Sequence, residues 1–86
     1  MLMKFLYFSA PWCGPCRTLG PVMEKVGQKY SVEKINVDEN QELSAEFGVR
    51  SIPTVILVDE SNKELERLVG VKPEGDYYDI FENRNS

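Results

Sequence analysis

Met3-Lys4-Phe5-Leu6-Tyr7-Phe8-Ser9-Ala10-Pro11-Trp12-Cys13-Gly14-Pro15-Cys16 is the stretch that decides the fold. Residues 3–9 are apolar and aromatic without polar alternation, which predicts a strand buried on both faces. Ala10-Pro11 breaks the strand, and a helical pattern begins near Cys13. Both cysteines of the chain lie here, two residues apart. A thiol pair placed after a buried strand and at a helix start can cycle between dithiol and disulfide. Cys13 is expected at the helix N-terminus, where the macrodipole and unpaired N–H groups favour a thiolate. Cys16 falls one turn later on the same side and is expected to be the less exposed. The geometry therefore predicts Cys13 as nucleophile on a substrate disulfide and Cys16 as the residue that resolves the mixed disulfide. Gly14 lets a partner chain approach closely, and Pro15 restricts the loop at the helix start.

The bulk composition narrows the alternatives. A chain of 86 residues makes one domain, 1–86. With 42% hydrophobic and 28% charged residues it is too apolar for a disordered chain. Ten basic and fourteen acidic residues give a net charge of −4, with no cluster of Lys and Arg. No nucleic-acid footprint exists, and the acidity serves solubility. Two cysteines are too few for a secreted disulfide scaffold. Without histidine or a second Cys pair, a four-ligand zinc site is short of ligands, so no metal is expected. The apolar stretch after Lys4 is too short for a signal-peptide core, so residues 1–10 read as mature structure. No segment approaches membrane-spanning length.

Outward from the motif, Leu19, Val22, Met23, Val26 and Tyr30 recur on one helical face. Pro21 sits within this helix and is expected to kink it. A second strand is predicted over 32–37, with Ile35 and Val37 on one face. Asp38-Glu39-Asn40 offers a solvated loop and an N-cap. Leu43 and Phe47 then mark a short helix stopped by Gly48. Residues 54–58 form the most strand-like run, expected at the centre of the sheet. After a polar turn over 59–63, a hairpin partner at the edge is predicted over 65–69. Pro73 opens a last helix with Tyr77, Ile80 and Phe81 on its apolar face. Residues 82–86 are expected to fray. Met1, Met3 and Met23 read as core or terminal fillers. The order is β-α-β-α-β-β-α, an α/β fold whose first unit is a parallel, right-handed crossover.

At this point the chain resembles the thioredoxin family over nearly its whole length. Trp12-Cys13-Gly14-Pro15-Cys16 is similar to that family's complete active-site motif. Pro21 matches its in-helix proline, and 34–38 (Lys-Ile-Asn-Val-Asp) its next core strand. The segment 47–54 (Phe-Gly-Val-Arg-Ser-Ile-Pro-Thr) and Val69-Gly70 match its remaining landmarks. The resemblance implies a thioredoxin-like fold with a four-stranded mixed sheet flanked by helices, of glutaredoxin size. It further implies a cis bond at Ile52-Pro53, which would let the Ile52 backbone pair with an extended substrate beside Cys13. Trp12, Ile52, Pro53, Val69 and Gly70, with Gly14 and Pro15, would form a flat, weakly polar substrate patch.

Three departures stand out. The family's usual first strand and helix are absent from this sequence, so four strands are expected rather than five. Tyr7 occupies the position of a buried aspartate thought to deprotonate the second cysteine, although a lysine partner is retained as Lys34. Water or the departing substrate thiolate would then have to take the Cys16 proton, and Tyr7 would be a core aromatic or a catalytic tyrosine. Ser9 replaces a large aromatic near the site.

Implied by the resemblance is a cytoplasmic, monomeric protein-disulfide reductase with no bound cofactor and no membrane or nucleic-acid partner. Its partners would be disulfide-containing proteins and a thioredoxin reductase that supplies reducing equivalents. The alternatives are a glutaredoxin-like enzyme recycled by glutathione, and a non-catalytic scaffold.

Overall fold

The computed structural model describes residues 2–85. Its elements are β1 (Met3–Ser9), α1 (Gly14–Lys29), β2 (Val32–Asn36), α2 (Gln41–Glu46), β3 (Thr54–Asp59), β4 (Glu64–Val69) and α3 (Glu74–Asn85). They follow the order expected from the sequence. The four strands form one mixed sheet in the order β2-β1-β3-β4. β1 runs parallel to β2, from Phe5 opposite Val32 to Ser9 opposite Asn36. β1 and β3 are antiparallel, and the β3–β4 hairpin is antiparallel with a register shift at Leu57/Val58.

The two apolar strands, β1 and β3, occupy the middle of the sheet and bury side chains on both faces. Strand pleating sends alternate residues to opposite sides. Met3, Phe5, Tyr7, Val55 and Leu57 face Leu19, Met23 and Val26 of α1 and Tyr77 of α3. Leu6, Phe8, Ile56 and Val58 face the other side with Ile35, against Leu43 and Phe47 from the α2 region. Two helices thus cover one face and a short helix covers the other. Phe5 and Phe8 are fully buried, each contributing about 2–3 kcal/mol of transfer free energy. β4 lies at an edge, as expected, and carries outward charges at Glu64 and Glu66. Such charges discourage pairing with another chain.

Several boundaries differ from expectation. β2 ends at Asn36, although the Val37 N–H still donates to the Ser9 carbonyl at 2.9 Å. Asn40 precedes α2, but its side chain does not cap the helix; its Nδ2 turns back to donate to the Asn36 carbonyl at 3.0 Å. Gly48 follows α2 at φ +64°, a conformation that favours glycine and stops the helix. Pro21 lies inside α1, which remains continuous through Lys29.

The larger correction concerns the C-terminus. Residues 82–85 are helical rather than frayed. Glu82 accepts bonds from Tyr30 Oη and from Lys29 Nζ, the latter at 3.2 Å. Arg84 reaches the Leu65 carbonyl and Glu66. These ties reach across the sequence, so no local pattern announced them. Met1 and Ser86, assigned above to a terminal filler and a frayed end, lie outside the described residues.

Candidate active site

Parallel strands β1 and β2 end on the same side of the sheet, and the loops that follow them meet there. β1 delivers the chain to Ala10-Pro11-Trp12, and α1 starts immediately after Cys13. Cys13 is the N-cap, extended at φ −88° and ψ 114°, and its sulfur accepts the Cys16 N–H at 3.2 Å. Sulfur therefore takes the place of the usual capping oxygen. The same N–H would hold a Cys13 thiolate more strongly, because an anionic acceptor strengthens the bond. No acidic residue stands in the first turn to oppose that charge.

Cys13 and Cys16 form a disulfide with Cα atoms 5.3 Å apart. Cys16 was expected to be the less exposed, yet both cysteines are 5% exposed. The bridge holds the two sulfurs together in a small cluster with Ala10, against Val37 and Ile52. Gly14 and Pro15 stand exposed beside it.

The Ile52-Pro53 bond is cis. Cys13 Sγ lies 3.8 Å from the Ile52 carbonyl oxygen. Pro53 is itself fully buried and does not belong to the exposed patch expected from the sequence. Its carbonyl accepts the Gly70 N–H at 2.9 Å, which ties the Val69-Gly70 segment to this loop. Gly70 sits at φ +86°, where a side chain would strain the turn. Trp12, 67% exposed, and Val69, 49%, leave apolar surface open here, and Val71, two residues past Val69 in the chain, is 41% exposed. Val71 had no pattern to mark it in the sequence. Ile52 is half-buried at the rim.

The Trp12 indole is held as well as exposed. Its Nε1 donates to Asp38 Oδ2 at 2.8 Å. Asp38 was read as part of a solvated loop and was missed. Its position two residues beyond β2, at the end shared with the cysteine motif, was the available signal.

Behind the disulfide is a cleft of about 260 Å³ that Tyr7, Ser9, Cys16, Arg17, Lys34 and Asn36 help to line. Tyr7 is both a core aromatic and a site residue. Its ring packs in the main core, while its hydroxyl donates to the Cys16 carbonyl at 3.0 Å. Burial pushes its pKa above the ordinary phenol value, against a smaller opposing contact with Ser9. The hydroxyl thus stays protonated at neutral pH. Lys34 is exposed on the opposite wall. Among the described residues no group of three His, Cys, Asp or Glu side chains is placed to hold a metal. No helix among them is long and apolar enough to cross a membrane.

Comparison with known proteins accords with this arrangement. The thioredoxin family model matches residues 3–82. Thioredoxin of Bacillus subtilis is 49% identical over 70 residues, 77% of this chain and 66% of the relative. Thioredoxin of Alicyclobacillus acidocaldarius is 44% identical over the same shares of the two chains. This chain thus spans just under two thirds of the length of these relatives. Among solved structures, a variant thioredoxin of Halobacterium salinarum superposes with a TM-score of 0.86 at 38% identity, over 94% of this chain and 73% of its own. With the family match over residues 3–82, the sheet order and the capping cysteine pair, this chain belongs to the thioredoxin family.

Proposed function

We propose that this protein is a thiol–disulfide oxidoreductase that reduces disulfides of other proteins. The observation that carries the reading is the Cys13–Cys16 disulfide at the head of α1, with the Ile52 carbonyl and the exposed Trp12 and Val69 beside it. In the reduced form the Cys13 thiolate attacks a substrate disulfide. A Cys13–substrate bond forms, and one substrate sulfur leaves with the electron pair and takes a proton. Cys16 then attacks Cys13 Sγ, closing the internal disulfide and releasing the second substrate sulfur as a thiol. The pair is oxidised by two electrons and the substrate is reduced by two. An apolar surface beside the nucleophile suits varied unfolded or extended segments. Trp12, Gly14, Pro15, Ile52, Val69 and Gly70 serve this docking surface, and Pro53 supports it from beneath.

The dithiol must be regenerated, which calls for an electron donor such as a thioredoxin reductase. We place this work in a reducing compartment, the cytoplasm, because an oxidising one would keep the pair closed. A monomer leaves the patch open to successive partners.

The deciding experiment follows reduction of a disulfide-bonded protein with a dithiol as electron donor. The wild type should catalyse it. Cys13→Ser should abolish catalysis, and Cys16→Ser should accumulate a covalent mixed disulfide visible by mass spectrometry. Undiminished activity of Cys13→Ser would sink the proposal and leave a binding scaffold. Equilibration in graded redox buffers gives a second check. The benchmark for thioredoxin is about −270 mV, whereas about −200 to −230 mV would point to glutathione as the donor.

A further inference from the structure

We propose that Cys16 gives up its proton directly to water in the cleft behind it, and that Tyr7 is a positioning residue rather than a base. The proposal rests on the oxidoreductase reading above and concerns its second step. The observation that starts it is the chemistry of the cleft wall. Among the described residues that line it with Cys16, none is a carboxylate, and the chain has no histidine. The charged groups on the wall are Arg17 and Lys34, both cations.

The surroundings of Cys16 can be taken element by element. α1 supplies Cys13 and Arg17, β1 supplies Tyr7, and β2 supplies Lys34; the Ile52-Pro53 segment brings no titratable group. Tyr77 of α3 stands behind Tyr7, and its pKa is itself pushed up, chiefly by burial. Glu24 lines the adjoining groove with Tyr7, Gly20 and Lys34, and Cys16 takes no part in that groove. Among the described residues, then, no carboxylate or imidazole lines the cleft to accept the thiol proton.

Water does have room. At about 30 Å³ per molecule, a volume of about 260 Å³ holds several waters, and the wall offers polar partners. Two cations on that wall favour the thiolate that remains. Tyr7 is engaged otherwise: its hydroxyl donates to the Cys16 carbonyl and so fastens the backbone of the resolving residue to the central strand. The step balances without further reagents. Cys16 loses a proton to water, and its sulfur attacks Cys13 Sγ. The Cys13–Cys16 bond forms as the Cys13–substrate bond breaks, and the departing sulfur takes its proton from water.

The test isolates the second step. The reduced full chain is mixed with an aromatic disulfide whose thiolate leaving group is coloured, and release of the second coloured equivalent is followed by stopped flow across pH. In the wild type the rate should rise through a single ionisation and level off. Tyr7→Phe should keep that ionisation and its midpoint while lowering the plateau roughly 2- to 10-fold, the range for one lost hydrogen bond. Lys34→Gln should move the midpoint to higher pH, because a cation leaves the wall. Tyr7→Asp should add a second ionisation, and if it does not fold the other two variants still decide.

Two ionisations in the wild type, or loss of one in Tyr7→Phe, would overturn the proposal, since either means that a protein group takes the proton. An unchanged plateau in Tyr7→Phe would overturn the positioning role. Failure of the oxidoreductase reading looks different: no second coloured equivalent would appear at any pH.

Discussion

The two ends of α1 are built to opposite specifications. At the N-terminal end the chain leaves a sulfur cap, an indole that is 67% exposed, and an exposed valine, Val69. At the other end, about 24 Å away for a helix of 16 residues, α1 is lashed to α3. The Tyr30 ring stacks on Phe81 at 3.9 Å, Lys29 lies over the rings of Tyr30 and Tyr78, and Tyr30 and Lys29 both bond Glu82. Apolar surface left open at the first end contributes nothing to folding, so anchoring must come from elsewhere. The far end supplies part of it without constraining the sulfurs. Stability and reactivity occupy separate ends of one helix.

The largest test of that separation is Phe81→Ala. Phe81 is half-buried between Tyr30 and Phe5, so its loss should cost about 2 kcal/mol and lower Tm by about 10 °C. Its reduction potential, measured well below the melting point, should match the wild type. A shifted potential would mean that the two ends are coupled.

Tyr77→Phe should act in the opposite sense on the same core. Tyr77 is fully buried, and its hydroxyl points toward the Lys72 backbone without reaching a hydrogen-bond partner. Deleting an unpaired buried hydroxyl should raise stability by about 1 kcal/mol, read from denaturant titrations. Burial raises the pKa of this phenol from 10.0 to about 12. The unfolded chain ionises first, so wild-type stability falls as pH rises from 10.0 toward about 12. The variant should lose less over that window. Part of the fall should remain, because burial raises the pKa of Tyr7 as well.

A smaller effect is expected at the reactive end from Asp38→Ala, which frees the Trp12 indole. Turnover of a protein disulfide should drop about threefold, the effect of one hydrogen bond. Melting should scarcely change. An equal loss with a small aromatic disulfide would show that Asp38 acts on the sulfurs rather than on docking.

The smallest effect belongs to Glu82→Gln. The Tyr30 hydroxyl and Lys29 hold the Glu82 carboxyl below its ordinary pKa. A lowered folded pKa contributes stability above the unfolded value, and that stability is lost as pH falls through the folded one. The variant should show a slightly flatter acid limb in thermal melts, and the difference should fade with added salt.

Legibility followed the range of the interactions. The central strands were readable because Phe5, Leu6, Phe8 and residues 55–58 are apolar in unbroken runs, and only double burial explains that. The cysteine pair was readable because two residue types at a fixed spacing open a helix. Asp38 and the Glu82 cluster were not readable, since each depends on a partner far along the chain. Pro53 was placed in the surface patch by the family resemblance, whereas packing buries it.

By itself, then, the sequence determined the order of elements, the strands with two buried faces, and the sulfur pair at a helix head. These follow from local periodicity, turn chemistry and spacing, which operate within a few residues. Only the tertiary structure decided that Trp12 is held by Asp38, that Tyr7 fastens Cys16, and that α3 stays helical through Asn85 against α1. Those outcomes need groups far apart in the chain to meet, and the sheet order that brings them together is settled when the whole core packs.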